Sequence, residues 1–195
     1  MAQQYTRNMI RSVFIEMLDE RPLDEITVTD LVGRCEINRK TFYYYYQDLY
    51  AVLSEIFQAE LDRVLARSVD ANSWEQGFIE AVSFAAGHKR AIYHVYHSMR
   101  REELERYLYA AAGDVMTRYV ERESEGIHAS AGDKRIIAQF YQSALTQMVM
   151  TWVGQGMKDD AKTLILRIGQ LFDGNIRLSL ERSVKLPVMP WKGID

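Results

Sequence analysis

Between Thr27 and Leu53 the chain reads TVTDLVGRCEINRKTFYYYYQDLYAVL, an order of residues that few architectures accommodate. Val28, Leu31 and Val32 recur at helical spacing, and after a break at Cys35 and Glu36 the apolar positions resume as Ile37, Phe42 and Tyr46. The stretch is therefore predicted to hold two short helices that share one small core, followed by the start of a third. Thr27 stands three residues before Asp30, which suits a capping box at the start of the first helix, and Asn38 is a good N-cap for the second. On a helical wheel Phe42 and Tyr46 fall on the buried side, which leaves Arg39, Lys40, Tyr43 and Tyr44 on the opposite face. That face is cationic at its tip and aromatic behind.

A helix with such a tip, preceded by one that crosses the backbone, is the helix-turn-helix way of reading a major groove. The planar fork of arginine donates two hydrogen bonds to the O6 and N7 of guanine, and lysine reaches guanine or a phosphate. Threonine and tyrosine hydroxyls donate to phosphate oxygens, which fixes register without reading sequence.

The order ITVTDLV followed by INRKTFYYYYQD resembles the N-terminal DNA-binding domain of the TetR family of transcriptional regulators, from Arg11 to Leu53. The wording CEINRKTFYYYY resembles the branch that includes regulators linked to dihydroxyacetone kinase genes. The resemblance implies an all-α fold with a three-helix DNA-binding head over residues 1–47 and a helical effector-binding and dimerisation body over 48–195. It implies Val28 and Thr29 at the tip of the supporting helix, Asn38, Arg39, Lys40 and Tyr43 as the reading and clamping surface, and Thr41, Tyr44 and Tyr45 on phosphates. Two positions depart from the family pattern. Glu36 replaces the turn glycine, so a residue with a Cβ must adopt a left-handed backbone, and Leu49 replaces a lysine that often touches phosphate.

The formal net charge of −3 excludes holding nucleic acid by bulk positive charge. Even residues 1–47 carry six basic against seven acidic side chains, so local placement has to decide, with Arg7, Arg11, Arg39 and Lys40 free to cluster. The single cysteine, Cys35, forbids an intrachain disulfide and closes the first of the two short helices, where a small buried residue is expected. The opening MAQQYTRNMIRS lacks a basic-then-apolar signal pattern, and a cytoplasmic protein is expected.

From Thr6, the residues Met9, Ile10, Val13, Phe14, Met17 and Leu18 mark an amphipathic helix that ends before Pro22, the third wall of the head. Its Arg7 and Arg11 lie on a polar side, from which they approach phosphates or stay in solvent. The run RPLDEI reads as a loop. Beyond Asp48 a long helix passes through Leu53, Ile56, Phe57, Leu61, Val64 and Leu65, and joins head to body. Further helices are expected from Trp74 to about Ala86 with Ser73 as cap, near Arg90 to Met99, and over about Glu102 to Glu123. The polar, glycine-bearing run from Glu121 to Asp133 reads as a loop, and no β-type alternation or repeat appears.

From Ile136 to Met157 there is no charged residue, a length that raises a membrane span. Gln139, Gln142, Ser143, Thr146, Gln147 and Thr151 interrupt it, and unpaired amides in lipid are costly, so the helix is expected to be covered by protein on more than one side. The next segment, capped at Asp159 or Asp160, has an apolar face through Leu164, Ile165, Ile168, Leu171, Phe172 and Ile176 that is too wide for one packing stripe. Either a larger monomer core or a symmetry mate covers the pair. The resemblance implies the latter, a homodimer through helices at about 136–157 and 160–182, which would set two reading helices on the half-sites of a palindromic operator.

No phosphate-binding loop, nucleophile elbow or paired-carboxylate signature suggests an enzyme, and no cofactor or metal is expected. His94 and His97, three apart, with Glu102 or Glu103 nearby, are the nearest approach to a metal set. For an unknown small-molecule or protein effector, the candidate wall residues are Phe78, Tyr93, Tyr96, Tyr107, Met116, Tyr141, Met148 and Trp152, aromatic or thioether groups of the kind that line sites between helices, although each type also fills cores. A small or absent cavity would favour a partner protein as effector. The reading is a homodimeric DNA-binding regulator, a repressor released by an effector; the rival is a helical interaction or adaptor module.

Overall fold

The computed structural model describes residues 2–68 and 73–187. Among these the chain forms ten α-helices and no strand: α1 (Ala2–Glu20), α2 (Val28–Arg34), α3 (Arg39–Tyr45), α4 (Leu49–Ser68), α5 (Trp74–Gly87), α6 (Lys89–Tyr96), α7 (Arg101–Glu123), α8 (Ala131–Gly154), α9 (Ala161–Phe172) and α10 (Asn175–Ser183). A 3-10 turn, Leu23–Glu25, interrupts the expected loop before α2, because Leu23 is buried and pins it to the core.

Side-chain caps at i, i+3 set several starts. Thr27, Asn38, Ser73, Ser130 and Asp160 each accept a hydrogen bond from the backbone N–H three residues on. Asp48 does the same for Ala51 at 2.8 Å. Each satisfies an amide that the helix start leaves without an internal partner.

The head buries Ile10, Phe14, Met17 and Leu18 of α1 against Leu31 and Val32 of α2 and Phe42 of α3. The body packs α4 and α5 on α7, and α7 along α8. Phe57 of α4 stacks on Tyr107 of α7 with ring centroids 5.4 Å apart, while the Tyr107 hydroxyl donates to the Ala81 carbonyl of α5 at 2.6 Å. Burial pushes the Tyr107 phenol well above its ordinary range, so it stays a donor.

Head and body meet where α1 ends and α6 begins. The Asp19 carboxylate accepts from the Ala91 amide at 3.0 Å and so caps α6 from another helix. His94 Nδ1 lies 2.6 Å from the Leu18 carbonyl, a contact that requires Nδ1 to carry the proton. On the far side Lys89 donates to the Met157 carbonyl at 2.9 Å, in the turn that closes α8. The α6 N-terminus thus touches both the head and the end of the longest body helix.

Several expectations are corrected here. The first helix begins at Ala2, before Thr6, and the helix near residue 90 ends at Tyr96. The loop read from Glu121 to Asp133 shrinks to residues 124–130, since α7 runs to Glu123 and Ser130 caps α8 through the Asp133 amide. The helix expected at 136–157 starts earlier and stops at Gly154. The one expected over 160–182 is two helices: Asp173 is extended (φ −53°, ψ 133°) and Gly174 is left-handed (φ 70°), so the chain turns between α9 and α10. No helix among the described residues is long and apolar enough to cross a membrane.

Candidate nucleic-acid interface

The turn between α2 and α3 is built by local hydrogen bonds. The Ile37 amide reaches back to the Val32 carbonyl at 3.1 Å and the Glu36 amide to Gly33 at 3.3 Å, the double closure of a Schellman motif. Its left-handed residue is Glu36, with φ 53°, where the same motif at the end of α8 has Gly156 at φ 82°. Ile37 then packs on the core and sets the direction of α3. Upstream, the Thr27–Asp30 capping box is complete: the Asp30 amide donates to Thr27 Oγ1 at 3.2 Å and the Thr27 amide donates to the carboxylate at 3.1 Å. The Thr27 hydroxyl also donates to that carboxylate, and these bonds hold the Asp30 carboxyl below its ordinary range.

Asn38 opens α3, its Oδ1 accepting from the Thr41 amide at 2.8 Å and the Thr41 hydroxyl at 3.1 Å. Phe42 is fully buried and Tyr46 nearly so. Arg39, Lys40, Tyr43 and Tyr44 are exposed, with Tyr43 at 55% and Tyr44 at 70% of full accessibility. Of the other candidates, Thr29 and Asn38 are exposed, Val28 and Thr41 half-buried, and Tyr45 is partly buried against the core, with its ring edge-on to Tyr44 at 4.9 Å. Arg39 donates to Thr29 Oγ1, a bond between the tips of the two helices.

Electrostatics separate the cations sharply. Arg7 and Arg11, for which the sequence leaves phosphate contact and solvent as alternatives, both engage Glu55 of α4, at 2.7 and 3.4 Å. Arg7 also lies over the Tyr46 ring at 5.9 Å. Arg21 pairs with Asp30 at 3.0 Å and Arg34 with Glu20 at 2.8 Å. Arg39 and Lys40 alone among the described basic residues up to Gln47 have no carboxylate partner. Cys35 is 4% exposed, and burial raises its thiol pKa, which leaves it a packing residue.

The body shows a second distinctive face. On α8 the residues Phe140, Ser143, Ala144, Gln147, Met148 and Thr151 are exposed along one stripe that includes no charge. Leu166 and Leu171 of α9 and Leu178 of α10 are also exposed.

The eight effector candidates lie in different surroundings among the described residues. Phe78, Tyr107, Met116 and Trp152 are buried core, whereas Tyr93 and Met148 are each 39% exposed. Tyr96 lies beside His97 and under Arg101, and Tyr141 borders a cavity of about 20 Å³ with Trp74, Tyr119 and Phe172. A larger cleft of about 430 Å³ opens between α7 and α8, lined by Gly113, Thr117, Lys134, Gln139 and Gln142. Val120, Ala131 and Ala138 also line it, so its walls mix apolar and polar groups, and nothing in the spacing of these residues distinguishes them from surface. Among the described residues no group of three or more His, Cys, Asp or Glu is placed to hold a metal ion; His94 faces Leu18, and the His97 ring packs tilted against Tyr93, centroids 4.3 Å apart. The Asp19–Ala91 bond was also invisible in the sequence, since its partners are 72 positions apart.

Residues 72–174 match the family model of the transcriptional regulator C-terminal region of TetR type. Among solved structures, the dihydroxyacetone kinase operon activator DhaS aligns with a TM-score of 0.75 at 17% identity, over 89% of this chain and 97% of that one. The fatty acid degradation regulator FadR from Bacillus halodurans aligns with a TM-score of 0.64 at 17% identity, over 85% of this chain and 93% of that one. No curated protein matches the chain in sequence. The family match covers more than half of the sequence, the two structures share its all-helical fold from the head to the body, and the chain belongs to the TetR family of transcriptional regulators.

Proposed function

We propose that this DNA-binding regulator is a homodimer whose heads, residues 1–47, engage the two half-sites of a palindromic operator, while the bodies, residues 48–195, pair and respond to an effector. One observation carries the reading: the two head cations without a carboxylate partner, Arg39 and Lys40, stand together on the exposed end of α3. In this reading Arg39 and Lys40 enter the major groove, Asn38 and Tyr43 flank them, and Val28 and Thr29 approach from α2. Thr41, Tyr44 and Tyr45 supply hydroxyls for phosphates, with Tyr45 limited by its partial burial.

Dimerisation is proposed through α8 with α9 and α10. An exposed stripe of Phe140, Ala144 and Met148 with only small or neutral polar neighbours has little reason to face water, and its lack of charge fits a self-complementary contact across a two-fold axis. Such a dimer sets its α3 helices about 34–36 Å apart, one turn of the duplex.

Repression with release by an effector is the working direction. The effector acts only so far as it prefers a dimer whose heads no longer match that spacing. Burial of Phe78, Tyr107, Met116 and Trp152 argues against a small molecule seated among them, which leaves the cleft between α7 and α8, or a partner protein on the outside of the body, as the place where an effector acts. The structural neighbour DhaS is an operon activator, so activation is the second reading of direction. Selection from a random DNA pool, followed by affinity measurements across salt, tests the proposal: an inverted repeat with salt-dependent binding is expected. Enrichment of no sequence, or a protein that stays monomeric at micromolar concentration, would overturn it.

A further inference from the structure

Arg39 belongs to the first turn of α3 and Thr29 to the first turn of α2, and both are exposed. Their side chains nevertheless meet, with an Nη2 proton on Thr29 Oγ1. A threonine hydroxyl is an unusual companion in this head, where the other four arginines take a carboxylate. The chemical difference matters. A carboxylate neutralises the guanidinium and occupies two of its donors with strong charge-assisted bonds, which a base edge would have to displace. A hydroxyl takes one donor of five and leaves the charge intact. Four donors remain, enough for the paired bonds to O6 and N7 of guanine.

The hydroxyl also fixes direction. A free arginine samples many rotamers and loses that freedom when it binds, whereas a side chain tied at one end to a neighbouring helix has lost part of it beforehand. The tie also restricts which way the plane of the fork faces. Lys40, exposed one residue on, has a rotatable ammonium without such a tether, which suits a phosphate rather than a base edge.

We propose that Thr29 is a positioning residue that holds the Arg39 guanidinium in register with a guanine of the operator half-site, so that this contact is read by shape and hydrogen bonding while Lys40 takes the neighbouring phosphate. The inference rests on the DNA-binding reading above and adds to it the chemical identity of one base and the device that selects it.

The test begins with the half-site recovered by the wild-type chain from a random pool. Affinities of wild type, Thr29→Val, Thr29→Ser and Arg39→Ala are then measured across a salt series. Three duplexes are used: the selected one, one with 7-deazaguanine in both symmetry-related copies of the candidate position, and one with adenine there. On the selected duplex Thr29→Val is expected to bind about two- to tenfold more weakly per half-site, the worth of one intramolecular hydrogen bond, with an unchanged salt slope. Thr29→Ser should restore most of the loss. Arg39→Ala should erase a preference for guanine of roughly five- to a hundredfold. On the 7-deazaguanine and adenine duplexes Thr29→Val should cost less, because one of the two paired bonds it supports is already lost. An equal loss on all three duplexes, a changed salt slope, or a guanine preference that survives Arg39→Ala would overturn the assignment while leaving DNA binding in place. Failure of the wild-type chain to select any sequence would instead remove the reading beneath it.

Discussion

The outward face of α3 and the outward stripe of α8 are both exposed, and they differ in what they leave unbalanced. On α3, Arg39 and Lys40 have no carboxylate partner, while Arg7, Arg11, Arg21 and Arg34 nearby are paired. On α8 the stripe from Phe140 to Thr151 holds no charge at all. A face meant for a polyanion gains from unpaired cations, because each phosphate contact releases counterions. A face meant for its own copy gains from having none, because every charge near a two-fold axis meets itself. Net charge reports neither, and at −3 for the whole chain it points away from DNA.

The sharpest way to break the contrast is to charge the neutral stripe. Ala144→Asp would bury two like carboxylates across the proposed axis at about 3–5 kcal/mol each, enough to leave monomers at micromolar concentration in analytical ultracentrifugation. A dimer that tolerates it would move the interface elsewhere. The complementary change, Arg39→Ala, should cost about 1–3 kcal/mol per half-site in operator binding, with the sedimentation of the dimer unaltered; Tyr43→Ala should act in the same direction. Loss of dimers in either variant would mean that the two faces are not independent.

Smaller effects sharpen the head alone. Glu36→Gly should raise stability by about 1 kcal/mol in chemical denaturation, since the left-handed position then carries no Cβ, as at Gly156. Lys40→Met should weaken binding to every sequence alike and flatten the plot of log affinity against log salt by about 0.9 per lost phosphate contact.

The smallest expected effect concerns acid. Hydrogen bonds from the hydroxyl and amide of Thr27 lower the Asp30 carboxyl pKa, and those from Thr163 lower that of Asp160. A carboxyl whose folded value is depressed contributes stability above its unfolded value, about 4, and loses it as pH falls through the folded value. Thermal melting should therefore drop below about pH 4, and the drop should be shallower in Asp160→Asn.

How much was legible follows from sequence distance. The caps at Thr27, Asn38, Ser73 and Asp160 and the left-handed strain at Glu36 depend on neighbours within four positions, so residue types alone announce them. The break between α9 and α10 had a local signal too, in Asp173-Gly174-Asn175, which the apolar run through Leu171, Phe172 and Ile176 concealed. By contrast, Glu55 draws Arg7 and Arg11 away from the candidate phosphate face across 40 or more positions, and no local rule reveals such a partner. The burial of Phe78, Tyr107, Met116 and Trp152 in the core was not legible for a related reason. Aromatic and thioether side chains at helical spacing have the same pattern whether they line a hole or fill a core.

By itself, then, the order of residues determined the helices, most of their caps and the polarity of each face, because these arise from backbone hydrogen bonds and side-chain spacing within a turn or two. Tertiary structure decided which arginines face outward without a carboxylate partner, that Asp19 caps α6, that Arg39 meets Thr29, and which aromatics are core. Those outcomes depend on which helices lie side by side, and a carboxylate brought in from a distant helix can cancel a charge that the local sequence leaves free.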